Sequence, residues 1–302
     1  MVNIKEQKAE VTTLTLKVSV VVPTHGRQHL LARLLESLAA QTLPESAYEV
    51  IVVDDGSPIP VNPAQTIKAN NQRVVSQAQQ GPAAARNAGA NMARGKLLAF
   101  IDDDCTASAD WLEQLLAANE SPVPLLLGGT TGNGLPENLF SATAESLLHF
   151  FDDYQHAHHQ PIDFLASNNI ACDHQAFNSI DGFDTRYPLA AGEDREFCRR
   201  WQTAGWLLKR VPEARATHFH QLDLRRFWRQ QYNYGRGAAR FHASSSSAST
   251  PPRPLGFYLS LLVHPVLRQS WPWWQRIACL PLVALSQVAV ISGRLYQSSL
   301  RE

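Results

Sequence analysis

The sequence predicts an α/β fold, a mostly parallel central sheet flanked by helices, with a helical appendage near its C-terminal end. Three observations carry that reading. Residues 17–23 (KVSVVVP) and 48–53 (YEVIVV) are short β-branched runs of the kind that form buried parallel strands. Between them, Leu30, Leu31, Leu34, Leu35 and Leu38 fall on one stripe of a helix, which makes a βαβ unit with a right-handed crossover. Further on, residues 97–105 read LLAFIDDDC, an apolar strand that runs straight into three adjacent carboxylates.

That last stretch organises the rest. Asp102, Asp103 and Asp104 repel one another and lose hydration if buried, so a cation is expected beside them. Ligands of open α/β sheets collect outside the carboxyl ends of the strands. Oxygen ligands there suit a hard cation, Mg²⁺ or Mn²⁺, that also grips phosphate oxygens. Side chains two apart on extended backbone point the same way. Asp102 and Asp104 are therefore expected to address one ligand while Asp103 turns aside.

Composition narrows the function class. The chain has 302 residues with Lys+Arg and Asp+Glu both at 27, a formal net charge of zero, so nothing favours a nucleic-acid partner. Cys105, Cys172, Cys198 and Cys279 are scattered without a CxxC pair, which argues against a zinc site or a disulfide framework and fits a reducing, cytoplasmic compartment. The first residues are charged and carry no apolar signal segment. Residues 1–16 are expected to be a flexible N-terminus.

Residues 74–75 suggest a third strand, and residues 83–94 (AAARNAGANMAR) a helix whose small side chains allow close approach to the sheet. A helix is expected over 111–119, a strand over 122–129 and a glycine-rich loop over 130–136. Residues 138–159 turn helical and then histidine-rich, with His149, His156, His158 and His159. No partner stands at a recognised spacing, so a solvated loop is preferred to a metal site. A strand is expected over 164–172, a short helix over 173–180, a helix over 195–204, two short strands around Pro212 and a basic, aromatic helix over 224–241.

Taken in order, VSVVVPTHGR, VIVVDDGS, GPAAARNAG, FIDDDC, SNNIACDHQAFNSIDGFD and AAGEDREFCRRW resemble the family 2 glycosyltransferases of GT-A fold, over roughly residues 18–242. The resemblance implies a Rossmann-like GT-A domain over 17–242. It implies a metal-dependent, inverting transfer of a sugar from a nucleoside-diphosphate sugar, UDP by default, to a saccharide or lipid-linked acceptor. Donor binding would fall to Pro23, Thr24, His25, Arg27, Asp54, Asp55, Arg86, Asp102 and Asp103, with the base contact on Asp55 and Arg86 near base or diphosphate. Asp104 would hold Mg²⁺ or Mn²⁺, Asp102 ribose or metal, and a histidine of THFH, His218 in preference to His220, would add a ligand. In AAGED, Asp194 would be the catalytic base with Glu193 beside it. Their place at a helix start also favours carboxylates through the helix dipole. Asn169 and Gly182 would lie on the acceptor side. Asp181 stands where the family has the first glycine of GGFD, and a non-glycine residue resists positive φ.

Two other readings compete. A nucleotidyltransferase would be expected to show a glycine-rich, cationic loop after the first strand, and PTHGRQHL has one glycine. A non-catalytic nucleotide-sugar-binding protein would not need Asp102, Asp104 and Asp194 together.

Residues 243–254 read as a Ser/Pro linker, followed by an apolar helical segment over 255–302. Its two apolar runs are short of a ~20-residue span. Arg268, Trp271, Trp273, Trp274 and Arg276 between them resemble an interfacial belt. The segment is expected either to pack on the catalytic domain or a partner chain, or to sit apart as a monotopic or re-entrant anchor at the inner face of a membrane.

Overall fold

The computed structural model describes residues 16–244, 254–267 and 271–300. In chain order its elements are β1 (Val18–Thr24), α1 (Gln28–Ala39), β2 (Tyr48–Asp55), α2 (Pro63–Thr66), β3 (Gln72–Gln77), α3 (Pro82–Asn91), β4 (Leu97–Ile101), β5 (Cys105–Ala107), α4 (Trp111–Ala118), β6 (Leu125–Asn133), α5 (Leu139–Ala157), β7 (Asn169–Asp173), α6 (His174–Ser179), α7 (Glu193–Thr203), β8 (Leu207–His218), α8 (Leu224–Ser244), α9 (Leu255–Leu267) and α10 (Trp273–Ser299).

The strands form one sheet in the order β3-β2-β1-β4-β7-β6-β8-β5. The half built from β3, β2, β1 and β4 is parallel, as the βαβ reading requires. The other half is mixed. β7 runs antiparallel to β4 and β6, β6 and β8 are parallel, and β5 closes the edge antiparallel to β8.

Period-two alternation divides the core. Val18, Val20, Val22, Leu97, Ala99 and Ile101 face α1 and α4, meeting Leu31, Leu34, Leu35 and Trp111. Val21, Leu98 and Phe100 face the other way, toward Ala83, Ala90, Phe177, Phe197 and Trp201 on α3, α6 and α7. A smaller cluster of Phe150, Phe227, Phe257, Leu261 and Val283 joins α5, α8, α9 and α10.

Several expected elements change. Residues 130–133, expected as loop, continue β6 past a bulge at Gly129/Thr130. The two strands expected around Pro212 are one strand. Gly129 pairs with Val211 and Thr130 with Arg215, so the bulge absorbs a proline that has no N–H to give the ladder. β7 begins only at Asn169, and β5, three residues long, carries no periodicity that would reveal it. The helix expected from residue 195 starts at Glu193. The histidine-rich stretch lies on α5 and its end rather than in a loop, with His158 stacked on Tyr154.

The tail does not sit apart. α10 packs along α8 and against α5, and α9 packs on α5 and α10. The expected flexible N-terminus up to residue 15, the linker from 245 to 253, and Arg268 lie outside the described residues.

Candidate active site

The carboxyl ends of β1, β2 and β4 lie side by side, and the turns that follow them are stitched together. The Gly26 N–H donates to Ser57 Oγ (2.8 Å), and the His25 ring Nδ1 lies 2.9 Å from the Asp55 carbonyl. Asp54 accepts from the N–H groups of Ser57 (3.0 Å) and Val61 (2.9 Å). Both its oxygens hold the loop, which gives Asp54 a structural task instead of the expected donor contact. Asp55 accepts from the N–H groups of Gln80 and Gly81 and from Gln77 Nε2, each at 2.8 Å. A carboxylate offers about four acceptor sites, so Asp55 retains capacity for one more donor. Pro23 is buried within β1.

The three aspartates diverge, Asp102 toward Arg86 and Asp103 and Asp104 toward Arg27. Asp102, 27% exposed, accepts from Arg86 Nη2 at 2.7 Å. Asp103 is fully buried, accepts from Thr24 Oγ1 at 2.6 Å and pairs with Arg27 at 2.7 Å. Asp104 pairs with Arg27 Nη1 at 2.5 Å, and its Oδ1 lies 3.1 Å from His218 Nε2. The cation that the acidic run demands is thus supplied in part by Arg27 and Arg86. Asp103, expected on the donor side, is closed in by Thr24 and Arg27.

Electrostatics separate the neighbours. Burial pushes the Asp103 carboxyl up to about 7, against the pull of Arg27. Burial also opposes ionisation of Asp104, but His218 and Arg27 outweigh it and hold its carboxyl below the usual carboxylate range. Burial opposes charge on His218 too, and Asp104 more than offsets it, raising its pKa. His220 is driven down to about 4 by burial and then by His218, and its ring Nδ1 lies 3.2 Å from Gln230 Nε2.

Asp104, Cys105 and His218 place their ligand atoms within 4.8 Å of one another, a grouping able to hold a metal ion. The fit to a divalent cation rests on Asp104 Oδ1, which is buried, lacks a hydrogen-bond partner and faces an imidazole nitrogen. A carboxylate with an imidazole is a sound donor pair for such an ion. Cys105 belongs to the core, and burial raises its thiol well above the ordinary value, so it contributes no thiolate. His218 reaches the site because β8 ends there, paired with Cys105 of β5 and Asn133 of β6. This selects His218 over His220. Asp102, expected as an alternative ligand, lies outside the grouping because Arg86 holds it.

Arg86 is 2% exposed and bridges Asp102 to Glu193, 3.2 Å from its Nη1. Glu193 is buried, and its Oε2 has no partner. Burial and the adjacent Asp194 push its carboxyl up to about 8. Asp194 is raised by burial, against a hydrogen bond from the Arg195 N–H (2.8 Å) and the charge of Arg86. The pair opens α7 behind Gly192, whose φ of +90° suits glycine.

Asn169 and Gly182, expected on the acceptor side, are both buried. Asn169 is buried, accepts from Trp111 Nε1 (2.8 Å) and donates to the carbonyls of Ala214 (3.0 Å) and Thr130 (3.2 Å). Gly182 forms a turn that Arg200 ties to α7 through the Ile180 and Gly182 carbonyls, while Asn87 brackets Phe183 with two 2.8 Å hydrogen bonds. Asp181 takes φ +60°, a conformation aspartate tolerates, so the turn forms without the family's first glycine.

One residue the sequence reading passed over is Tyr234 of α8. Its hydroxyl is pushed up by burial and by the charges of Asp194, Glu193 and Asp102, although the side chain as a whole is 44% exposed. The available signal was the glycine pair Gly235 and Gly237 inside a helix, where each costs about 1 kcal/mol and marks a close approach. A Cβ on Gly237 would lie 2.3 Å from the Ala191 carbonyl oxygen, on the loop leading to Glu193.

Known proteins resemble this chain in sequence and in fold. The pre-mycofactocin glycosyltransferase of Mycobacterium tuberculosis is 28% identical over 290 residues, covering 94% of this chain and 58% of its own length. The chain thus spans little more than half of that relative. Glycosyltransferase AglE of Haloferax volcanii is 29% identical over 199 residues, 63% of each chain. Among solved structures, the mannosyltransferase PcManGT from Pyrobaculum calidifontis, in complex with GDP-Man and Mn²⁺, superimposes with a TM-score of 0.64 at 17% identity, covering 96% of this chain and 89% of that one. TarS 1–349 of S. aureus in complex with UDP gives 0.50 at 18% identity, covering 95% and 91%. These likenesses establish a GT-A-like fold. The profile of the family described as "Glycosyl transferase family 2" matches residues 19–180, more than half of the chain and the stretch that runs from β1 through β4 to the end of α6, and the chain belongs to that family.

Proposed function

We propose that the chain is a metal-dependent, inverting glycosyltransferase that moves a sugar from a nucleoside-diphosphate sugar to an acceptor hydroxyl in a single displacement. The observation that carries this reading is the convergence of two carboxylate groups on Arg86. The donor-side triplet Asp102–Asp104 and the pair Glu193–Asp194 that opens α7 meet there, at the carboxyl ends of a parallel sheet. Residues 17–242 would form the transferase unit, with 255–302 as its helical appendage.

His25, Arg27 and Asp55 line the seat for the nucleoside, Asp55 with acceptor capacity to spare for a base N–H. Asp102 reaches the ribose side. Asp104 and His218 would hold Mg²⁺ or Mn²⁺, which when bound stabilises negative charge on a diphosphate as a Lewis acid. Asp194 takes the acceptor proton, since burial raises its pKa, the direction a general base requires. The acceptor oxygen then bonds to the anomeric carbon as the bond from that carbon to the phosphate oxygen breaks, and the nucleoside diphosphate leaves from the opposite face. Glu193, neutral below about pH 8, leaves the charge of Arg86 to Asp102. The GDP-Man and UDP bound in the solved relatives support a nucleoside-diphosphate donor, with UDP as the default. The acceptor is a saccharide or a lipid-linked sugar. We place the enzyme in the cytoplasm at the inner face of a membrane, in keeping with four free, buried cysteines and with α10, which is long and apolar enough to cross a bilayer.

The test is turnover with a panel of UDP-, GDP- and dTDP-sugars and Mn²⁺, following release of the nucleoside diphosphate with and without saccharide acceptors. Metal-dependent release from one donor supports the reading. Transfer of a nucleotide instead of a sugar, with release of pyrophosphate, would replace it.

A further inference from the structure

α10 is inside out. The face it turns to the protein carries Gln275, Ser286 and Gln297 with Val283 and the small residues Cys279, Ala289 and Gly293. The face it turns outward carries Trp274, Ile277, Pro281, Ala284, Val288, Ile291 and Leu295, spaced three or four apart with no polar residue among them. A helix on the surface of a water-soluble domain shows the reverse. The inward polar groups are engaged: Gln275 donates to the Pro136 carbonyl (2.8 Å), and Gln297 accepts from Arg236 (3.3 Å).

α9 repeats the pattern. It turns Phe257, Leu261 and Pro265 inward and leaves Leu255, Leu259, Val263 and Leu267 exposed, Leu255 at 74%. An open groove of about 380 Å³ between α5 and α9, lined by Phe150, Tyr154, Leu259 and Val263, continues this apolar surface. Contiguous exposed hydrocarbon of this extent marks an interaction surface.

Charge identifies the partner. Residues 224–301 contain ten arginines and no Asp, Glu or Lys, in a chain whose formal net charge is zero. Arg225 and Arg229 of α8 and Arg294 of α10 are exposed. Tryptophans 271, 273 and 274 stand at the start of α10, as aromatic side chains do at a bilayer interface. Hydrocarbon, aromatic rings and a net excess of positive charge together fit an anionic lipid surface. A second copy of this chain would bring the same excess of positive charge and repel.

Packing decides between lying on the bilayer and crossing it. A Cβ on Gly235 would lie 2.0 Å from the Val290 carbonyl oxygen, and one on Gly293 would lie 2.0 Å from that of Tyr232, so α10 and α8 touch backbone to backbone. α8 in turn meets the Ala191–Gly192 loop through Gly237. A helix pinned in this way cannot enter the hydrocarbon without drawing the catalytic loop after it.

We propose that the outward faces of α9 and α10, with the exposed arginines of α8 and α10, seat the protein in the plane of an anionic bilayer without crossing it. This deepens the membrane side of the proposed function and is independent of the sugar-transfer chemistry, because its test reads lipid binding alone.

The full-length chain is floated with vesicles of phosphatidylcholine, and of phosphatidylcholine with phosphatidylglycerol. Binding is expected on the anionic vesicles, weakened by salt and released by alkaline carbonate. Ile277→Gln/Ile291→Gln/Leu295→Gln should lower partitioning by about tenfold or more, since each side chain gives up hydrocarbon burial. Arg225→Gln/Arg229→Gln/Arg294→Gln should lower it about fivefold per charge on anionic vesicles and leave phosphatidylcholine binding unchanged. Should a triple variant fail to fold, tryptophan quenching in the wild-type chain decides, with lipids brominated near the headgroup expected to quench more than lipids brominated near the chain end. Failure to float with anionic vesicles, retention after carbonate, or deeper quenching would overturn the proposal. So would a dimer in sedimentation that the isoleucine and leucine variant dissociates.

Discussion

The carboxyl end of the sheet and the outer helical layer depart from ordinary burial in opposite directions. At the sheet end the chain buries Asp103, Asp104, Arg86 and Glu193, groups that water would normally keep. On α9 and α10 it exposes leucine, isoleucine and tryptophan. The first departure persists because each buried charge has an assigned counter-charge, and the one carboxylate oxygen facing His218 without a hydrogen bond marks a ligand position. The second persists because the inward side of α10 is already occupied by close backbone contact, which leaves the hydrocarbon for a partner that is not water. Buried charge calls for counter-charge, and exposed hydrocarbon calls for a partner other than water.

The comparison can be broken first at the base. Asp194→Asn is expected to retain donor binding and lose transfer by about 10²-fold or more, the scale of a general base. Steady-state kinetics with the donor found in the panel checks this, and unchanged turnover would remove Asp194 from the mechanism. Next is the hub of the buried network. Arg86→Ala leaves Asp102 without its cation and Glu193 without its hydrogen-bond donor, and breaking a buried pair costs about 3–5 kcal/mol. Urea unfolding should show that loss, and a change below about 1 kcal/mol would mean that Arg86 is not structurally required.

The link between the two regions is testable at α8. Gly237→Val would push against the Ala191 carbonyl and displace the loop before Glu193. A misplacement near 1 Å costs on the order of 10²-fold in rate, so kcat should fall while KM for the donor holds. A rise in donor KM with kcat intact would place the contact outside the base loop. The last test is a pH dependence. Glu193 is raised to about 8 in the fold, so its contribution to stability is complete below the ordinary glutamate range and is lost as pH rises toward 8. Glu193→Gln cannot ionise. Its stability relative to wild type should therefore grow from about pH 4.5 to pH 8 and then level off. A difference that stays flat across that window would show that Glu193 is ionised in the fold.

Much of the first region was legible in the sequence, because its signals are local. The β-branched runs, the leucine stripe and the acid triplet that ends β4 stand where the structure has them. Local pattern did not show the pairings, although the family resemblance had set His218 beside Asp104. Arg86 and Glu193 are 107 residues apart, and no local pattern joins them. His218 reaches Asp104 through β5, a three-residue strand too short to show alternation. Asn169 resembled an acceptor-side residue and proved to be a buried cross-link between strands, a role set by the Trp111 indole and two carbonyls. In the tail, apolar periodicity was visible but its direction was not. Side-chain polarity predicts that Gln275 and Gln297 face out, yet the close contacts of Gly235 with Val290 and of Gly293 with Tyr232 turn α10 the other way.

The account rests on a cation held by Asp104 and His218 beside the donor seat. The most direct test is calorimetric titration of UDP and GDP into wild type and Asp104→Ala, each with Mn²⁺ and with chelator. The wild-type chain should bind one of the two diphosphates only when Mn²⁺ is present. Asp104→Ala should weaken that binding by more than the ~10²-fold that outer partners of a metal site command, with its circular dichroism unchanged. Equal affinity in the two proteins, or binding that ignores Mn²⁺, would contradict the account.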